Sequence, residues 1–372
     1  MLRWGLLGIL ALGIVGCMGR RVEEFPPATY TRGDLFGHST DSAQEPVVLP
    51  PEVSAEVRRL VDEAYPHPTA WTSAEEKKDP TNRRLQAGYK LYQQHCLTCH
   101  GKSGAGDGGI AATVSPRPRD FRRGTFKWKS TARTSKPLID DLVRTIQRGI
   151  PGTAMQGFSR LDRNDLVLMA EFVVYQSKRG ETERRLLVDY ASEGPLQKEL
   201  DETKESISKE KLEEYKSLLA ASTQDAKESL AEAWKSATEH VVQPSVPYPD
   251  LAEGTPEWQA AMDHGRQLFV GAQTGCSKCH GADGKGEKNL TPQETVDDWG
   301  FSNPPRDLTQ GVFRGGGDPL DLYRRIQQGI AGSTMPATVG TTPLSDEDLW
   351  DLVRFVKSLS SQSSPSGTAS TR

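Results

Sequence analysis

A mainly α-helical protein, with two similar helical units joined by a charged helical linker, is expected from three observations. Apolar residues recur at helical spacing without a convincing strand alternation. A segment of about 100 residues occurs twice. The loops inside each copy are rich in Gly and Pro. The 372 residues suffice for two or three domains. No apolar run approaches the roughly 20 residues that span a bilayer, which excludes a multi-spanning membrane protein. A formal net charge of −4 supplies no basic field for gripping nucleic acid, and no nucleic-acid partner is expected.

Residues 1–16 read as an export signal. Arg3 gives a positive start, and Trp4 to Gly16 is an uncharged apolar stretch too short to cross a membrane. It closes on Ile14-Val15-Gly16-Cys17, which resembles a bacterial lipobox and implies lipid on Cys17 after cleavage. The protein is therefore expected on the periplasmic side, membrane-anchored; an ordinary secretory signal would export it as well. Residues 17–82 carry Pro26-Pro27, Pro50-Pro51 and Pro66-His67-Pro68, with one helix-like stretch from Glu52 to Ala64. This composition predicts a tether and packing arm without a core of its own.

The first unit covers 83–180 and the second 250–360. Cys96-Leu97-Thr98-Cys99-His100-Gly101 recurs as Cys276-Ser277-Lys278-Cys279-His280-Gly281, an offset of 180. Arg148-Gly149-Ile150-Pro151-Gly152-Thr153-Ala154-Met155 recurs at the same offset up to Met335. Between them, Pro118-Arg119-Asp120 matches Pro305-Arg306-Asp307 at an offset of 187, so a loop has changed length. Each unit opens with an amphipathic stretch, Leu85 to Gln94 and Met262 to Val270, carrying Gly88 or Gly265 among aromatics. Each has a middle helix, Leu138 to Arg148 and Pro319 to Gln328. Each ends on an apolar-periodic run, Leu166 to Tyr175 and Leu349 to Leu359, behind capping pairs Asp162/Asp165 and Ser345/Asp348. Residues 181–249 form the linker; Glu181 to His240 holds about 15 acidic and 9 basic residues and is expected as exposed helix, a solvated spacer. A disordered tail is expected over 361–372.

Apart from Cys17, the five cysteines form two close pairs, each followed by a histidine. Cys-x-x-Cys-His is the attachment signature of a c-type haem: both thiols add to vinyl groups of the porphyrin, and the histidine is placed under the iron. Structural zinc wants a second ligand pair at its own close spacing, whereas these pairs stand 180 residues apart. Thioredoxin-like chemistry places its cysteines at a strand-to-helix junction, a pattern not seen here.

Both halves resemble class I c-type cytochromes, small helical domains that wrap one covalent haem between their first and last helices. The resemblance covers about Arg83 to Gly180 and Glu257 to Ser360. It implies two haem c groups held by Cys96, Cys99 and His100 and by Cys276, Cys279 and His280. It also implies an axial methionine in a Gly- or Pro-containing loop, where Met155 and Met335 stand, each 59 residues after its unit's first cysteine. Met169 and Met262 lie in helices without counterparts and are expected in the core. A backbone carbonyl at Pro116 or Pro118, and at Pro304 or Pro305, is implied as acceptor for each histidine's free N–H. A neutral thioether opposite histidine raises the reduction potential, so the implied function is single-electron transfer between exported or membrane-bound redox proteins. A dihaem peroxidase, a thiosulfate-type dehydrogenase or a cytochrome subunit of a larger oxidoreductase are the alternatives.

Charge divides unevenly: 81–180 holds about 18 basic and 7 acidic residues, 250–360 about 10 and 16. Arg117, Arg119, Arg122, Arg123, Lys127, Lys129, Arg133 and Lys136 share one loop region, where an acidic redox partner is expected to dock unless haem propionates and the acidic linker absorb the charge internally.

Overall fold

The computed structural model describes residues 24–26, 30–36, 46, 47, 49–193 and 208–361. The export signal with Cys17, much of the tether, part of the linker and residues 362–372 lie outside the described residues. The helices are α1 (Arg32–Phe36), α2 (Pro51–Ala64), α3 (Ala74–Lys78), α4 (Pro80–His95), α5 (Leu97–His100), α6 (Ile139–Arg148) and α7 (Arg163–Glu193). Then follow α8 (Lys209–Lys235), α9 (Pro256–Val270), α10 (Cys276–His280), α11 (Pro292–Thr295), α12 (Pro319–Gln328) and α13 (Asp346–Ser361). Among the described residues only isolated β-bridges occur, and no helix is long and apolar enough to cross a membrane.

In each unit the first and last helices cross at a glycine. A Cβ on Gly88 in α4 would lie 2.3 Å from the Leu168 carbonyl oxygen of α7, and one on Gly265 in α9 would lie 2.2 Å from the Asp351 carbonyl oxygen of α13. Only a residue without a side chain lets the backbones come this close. Around the first crossing Tyr89, Tyr92, Leu166, Met169 and Phe172 are buried; around the second, Met262, Phe269, Leu352, Phe355 and Val356. Met169 and Met262 are thus core residues. Side-chain caps fix where the last helices start. The Asp162 carboxylate accepts the Asp165 amide at 2.8 Å, while Ser345 and Asp348 form a reciprocal box at 2.8 and 3.1 Å.

Two expectations change. Helix α7 does not stop near residue 180 but continues to Glu193, so the first unit's last helix runs into the linker. The linker is not a solvated spacer: Tyr215 and Leu219 of α8 pack with Leu186, Leu187 and Tyr190 of α7 and with Val53, Val57 and Val61 of α2. The arm that lacked apolar residues for its own core shares this one. Apolar spacing marked these faces, but the abundance of charge hid that each helix had a partner.

The two units face one another through the loop 117–136. Lys127 Nζ stands 3.1 Å from the buried Asp297 carboxylate, Arg123 donates to the Asp298 carbonyl, and Arg325 donates to the carbonyls of Lys127 and Lys129. Arg144 and Arg148 both lie 3.5 Å from the buried Asp321 carboxylate.

Candidate haem-binding site

Each Cys-x-x-Cys-His motif forms one turn of helix directly after the first helix of its unit, so that the histidine emerges beside the apolar core. His100 is buried and His280 partly so. Nδ1 of His100 lies 3.0 Å from the Arg119 carbonyl oxygen, and Nδ1 of His280 lies 3.2 Å from that of Arg306. A carbonyl can only accept; Nδ1 therefore carries the hydrogen and Nε2 keeps its lone pair for a metal. Burial lowers the pKa of both imidazoles, His100 further through the Arg119 charge, which favours the neutral, ligating form. The expected carbonyl acceptors, Pro116 or Pro118 and Pro304 or Pro305, are corrected: the acceptor is the arginine that follows Pro118 or Pro305. The Pro-Arg-Asp repeat held the signal, and the turn geometry selects which carbonyl faces inward.

The methionine loops match in detail. The Ile150 amide donates to the Met155 carbonyl at 2.9 Å, and the Met155 amide donates to Thr153 Oγ1 at 3.1 Å. In the second unit the Ile330 amide donates to the Met335 carbonyl at 3.2 Å, and the Met335 amide donates to Ser333 Oγ at 3.3 Å. Thr and Ser at equivalent places supply the same hydroxyl.

Cys96, Cys99, His100, Met155, Cys276, Cys279, His280 and Met335 all line one continuous cavity of about 790 Å³. Burial pushes the Cys96 thiol up to about 12 and raises that of Cys276. The two pairs do not converge: among the described residues no three His, Cys, Asp or Glu side chains gather as a metal site. The walls carry Phe121, Phe126, Leu142, Ile146, Leu352 and Val356, with Phe121 stacked on the His100 ring at 4.6 Å.

The fit to haem rests on what the cavity leaves unsatisfied. Trp299 Nε1 and the Nε groups of Arg306, Arg314 and Arg325 are buried without a hydrogen-bond partner among the described residues, and all four residues line the cavity. Buried donors left unpaired, three of them cationic, suit a ligand that is apolar in body and anionic at its edge. A porphyrin with two carboxylates is such a ligand. Trp299 and Arg314 were not foreseen, since neither falls in the repeated segments.

The basic loop is turned inward. Arg119 stacks on Trp299, Arg122 pairs with buried Asp120, Lys127 with Asp297, Lys136 with Glu181, and Arg133 reaches the second unit. For these cations the internal alternative holds: they face the second unit, the first unit's own groups and the start of the linker, while Arg117 of the same cluster stays exposed.

Comparison with known proteins agrees. Residues 262–360 match the family Cytochrome c, and residues 83–173 match Cytochrome C oxidase, cbb3-type, subunit III. No curated protein matches the chain. Among solved structures, the chain is similar to one from the Kuenenia stuttgartiensis reducing HAO-like protein complex Kustc0457/Kustc0458. Identity is 25% and the TM-score 0.50, over 74% of this chain and 96% of that one. A cytochrome c family match in each unit supports a haem c electron-transfer protein of the class I c-type kind.

Proposed function

We propose that the chain binds two covalent haem c groups and passes single electrons between redox proteins outside the cytoplasm. Cys96 and Cys99 would attach one, with His100 and Met155 as the residues that would hold its iron; Cys276 and Cys279 would attach the other, with His280 and Met335. The observation that carries this reading is the convergence of both sets on one cavity whose buried arginine and tryptophan donors lack partners among the described residues. When bound, haem supplies a one-electron iron couple. The chain's own part is to hold each imidazole in the Nδ1–H form through Arg119 or Arg306, to present a thioether from the opposite loop, and to exclude water with apolar walls. A methionine thioether from Met155 or Met335 would raise the potential of the iron it holds, which supports a carrier over a peroxidase or a thiosulfate-type dehydrogenase. Export and anchoring through Cys17 belong to the same proposal, supported by residues 1–17 of the sequence.

A second reading, a cytochrome subunit of a larger redox assembly, is favoured by the 96% coverage of a chain from the HAO-like complex. Stable co-purification would distinguish it from a free carrier.

Intact mass of the matured protein and its oxidised absorption spectrum test the main reading. Two added haems and a far-red methionine-to-ferric band from both sites are expected; a mass without haem, or a spectrum without that band, refutes it.

A further inference from the structure

We propose that the first unit sets the axial ligation and raises the reduction potential of the second unit's haem, through Arg133. The proposal rests on reading Met335 as that haem's ligand, and it concerns a residue outside both sets of ligands. Arg133 reaches across the interface. Its Nη1 donates to the Met335 carbonyl at 2.9 Å, its Nη2 approaches the Ser333 carbonyl at 3.3 Å, and its backbone N–H donates to Gln328 Oε1 at 3.0 Å. One rigid planar fork therefore spans two carbonyls of the turn that carries the methionine. The arginine lies over Gly329, the left-handed residue that ends α12: a Cβ there would stand 2.6 Å from Nη1.

Among the described residues the first unit's loop has no such hydrogen-bonded brace, although Arg306 of the second unit stands near Gly152. Among the described residues the Met155 carbonyl accepts the Ile150 amide alone. Positions 313 and 320, which follow Arg133 at the two repeat offsets of 180 and 187, are Phe313 and Leu320. The two sites share ligand types and loop geometry but differ in this contact.

Two effects follow. The guanidinium restrains the loop, so the thioether is held in place from the opposite unit. It also ends on carbonyls, with no carboxylate among its partners in the described residues, so a permanent positive charge sits beside the methionine. Positive charge near the iron favours the reduced state, whose charge is lower by one. Arg133 is a positioning residue, acting through the Met335 loop.

The test uses full-length, matured holoprotein and four substitutions: Arg133→Gln, Arg133→Lys, Arg144→Gln as a control at the same interface away from the Met335 loop, and Met335→His as a marker of the second haem. Redox titration and the far-red band are read in each, with Met335→His identifying which midpoint belongs to the second haem. In Arg133→Gln the second haem's midpoint falls and its share of the far-red band weakens, while the first haem is unchanged. Arg133→Lys restores charge without the fork, so its midpoint lies between those of Arg133→Gln and the parent. Arg144→Gln leaves both haems as in the parent. Unchanged midpoints and band in Arg133→Gln would overturn the proposal, as would equal shifts of both haems shared by Arg144→Gln, which mean a loosened interface. A parent protein lacking two haems or the far-red band would overturn the functional reading instead, so the two failures are distinct.

Discussion

The guanidinium carbon of Arg119 lies 3.4 Å from the centre of the Trp299 ring. One residue thus joins the two units: its carbonyl orients His100 in the first, and its cation stacks on an aromatic ring of the second. Trp299 in turn fills the space beside Gly332 in the Met335 loop, where a Cβ would stand 2.3 Å from the ring. Arg119→Leu would keep the carbonyl and lose the stack.

Trp299→Ala removes this buried wedge. A loss of about 3–5 kcal/mol is expected, as for other large aromatic truncations in a packed site. Chemical denaturation of the holoprotein measures it. A change below about 1 kcal/mol would show that the interface closes without the ring.

Each attachment motif is expected to act alone. The double substitution Cys276→Ser, Cys279→Ser should remove one haem from the intact mass and keep the first, with Cys96 and Cys99 intact. Retention of both groups would place the second attachment elsewhere.

The glycine crossings are expected to tolerate no side chain. Gly88→Ala and Gly265→Ala each force a methyl group onto a carbonyl oxygen, an overpacking expected to cost about 1–3 kcal/mol. Calorimetry should show lowered melting temperatures for both; an unshifted melt in either would mean that its helices separate freely.

Lys129 gives a pH dependence. Burial, with Lys136 and Arg325 nearby, lowers its pKa to about 7. An unfolded lysine titrates near about 10.4. Between these values the unfolded chain binds more protons, so this residue's contribution makes stability rise as pH rises from about 7 to 10. Below about 7 both states are protonated and the full burial penalty applies. Relative to Lys129→Met, the parent protein should gain melting temperature across that window; parallel curves would contradict the assignment.

Much of this could be read along the chain. The attachment motifs, the methionines at equal spacing, the paired glycines, the capping pairs and the order of helices depend on short-range chemistry, which a repeat displays twice. His100 and His280 needed no fold to be singled out. The reading failed where a residue's partner is remote in sequence. The basic loop looked like a docking face because Asp297 and Trp299 lie about 170 residues downstream of it. The linker looked solvated because its apolar stripe was narrow and α2, its partner, stood far upstream. The carbonyl that steadies each histidine was misplaced by one residue because turn geometry, not residue type, aims a backbone oxygen. The joining of two sites into one cavity, and the hold of Arg133 on the Met335 loop, come from packing two copies face to face. A charge pattern shows that an arginine is present; burial and contact across the interface settle what it holds.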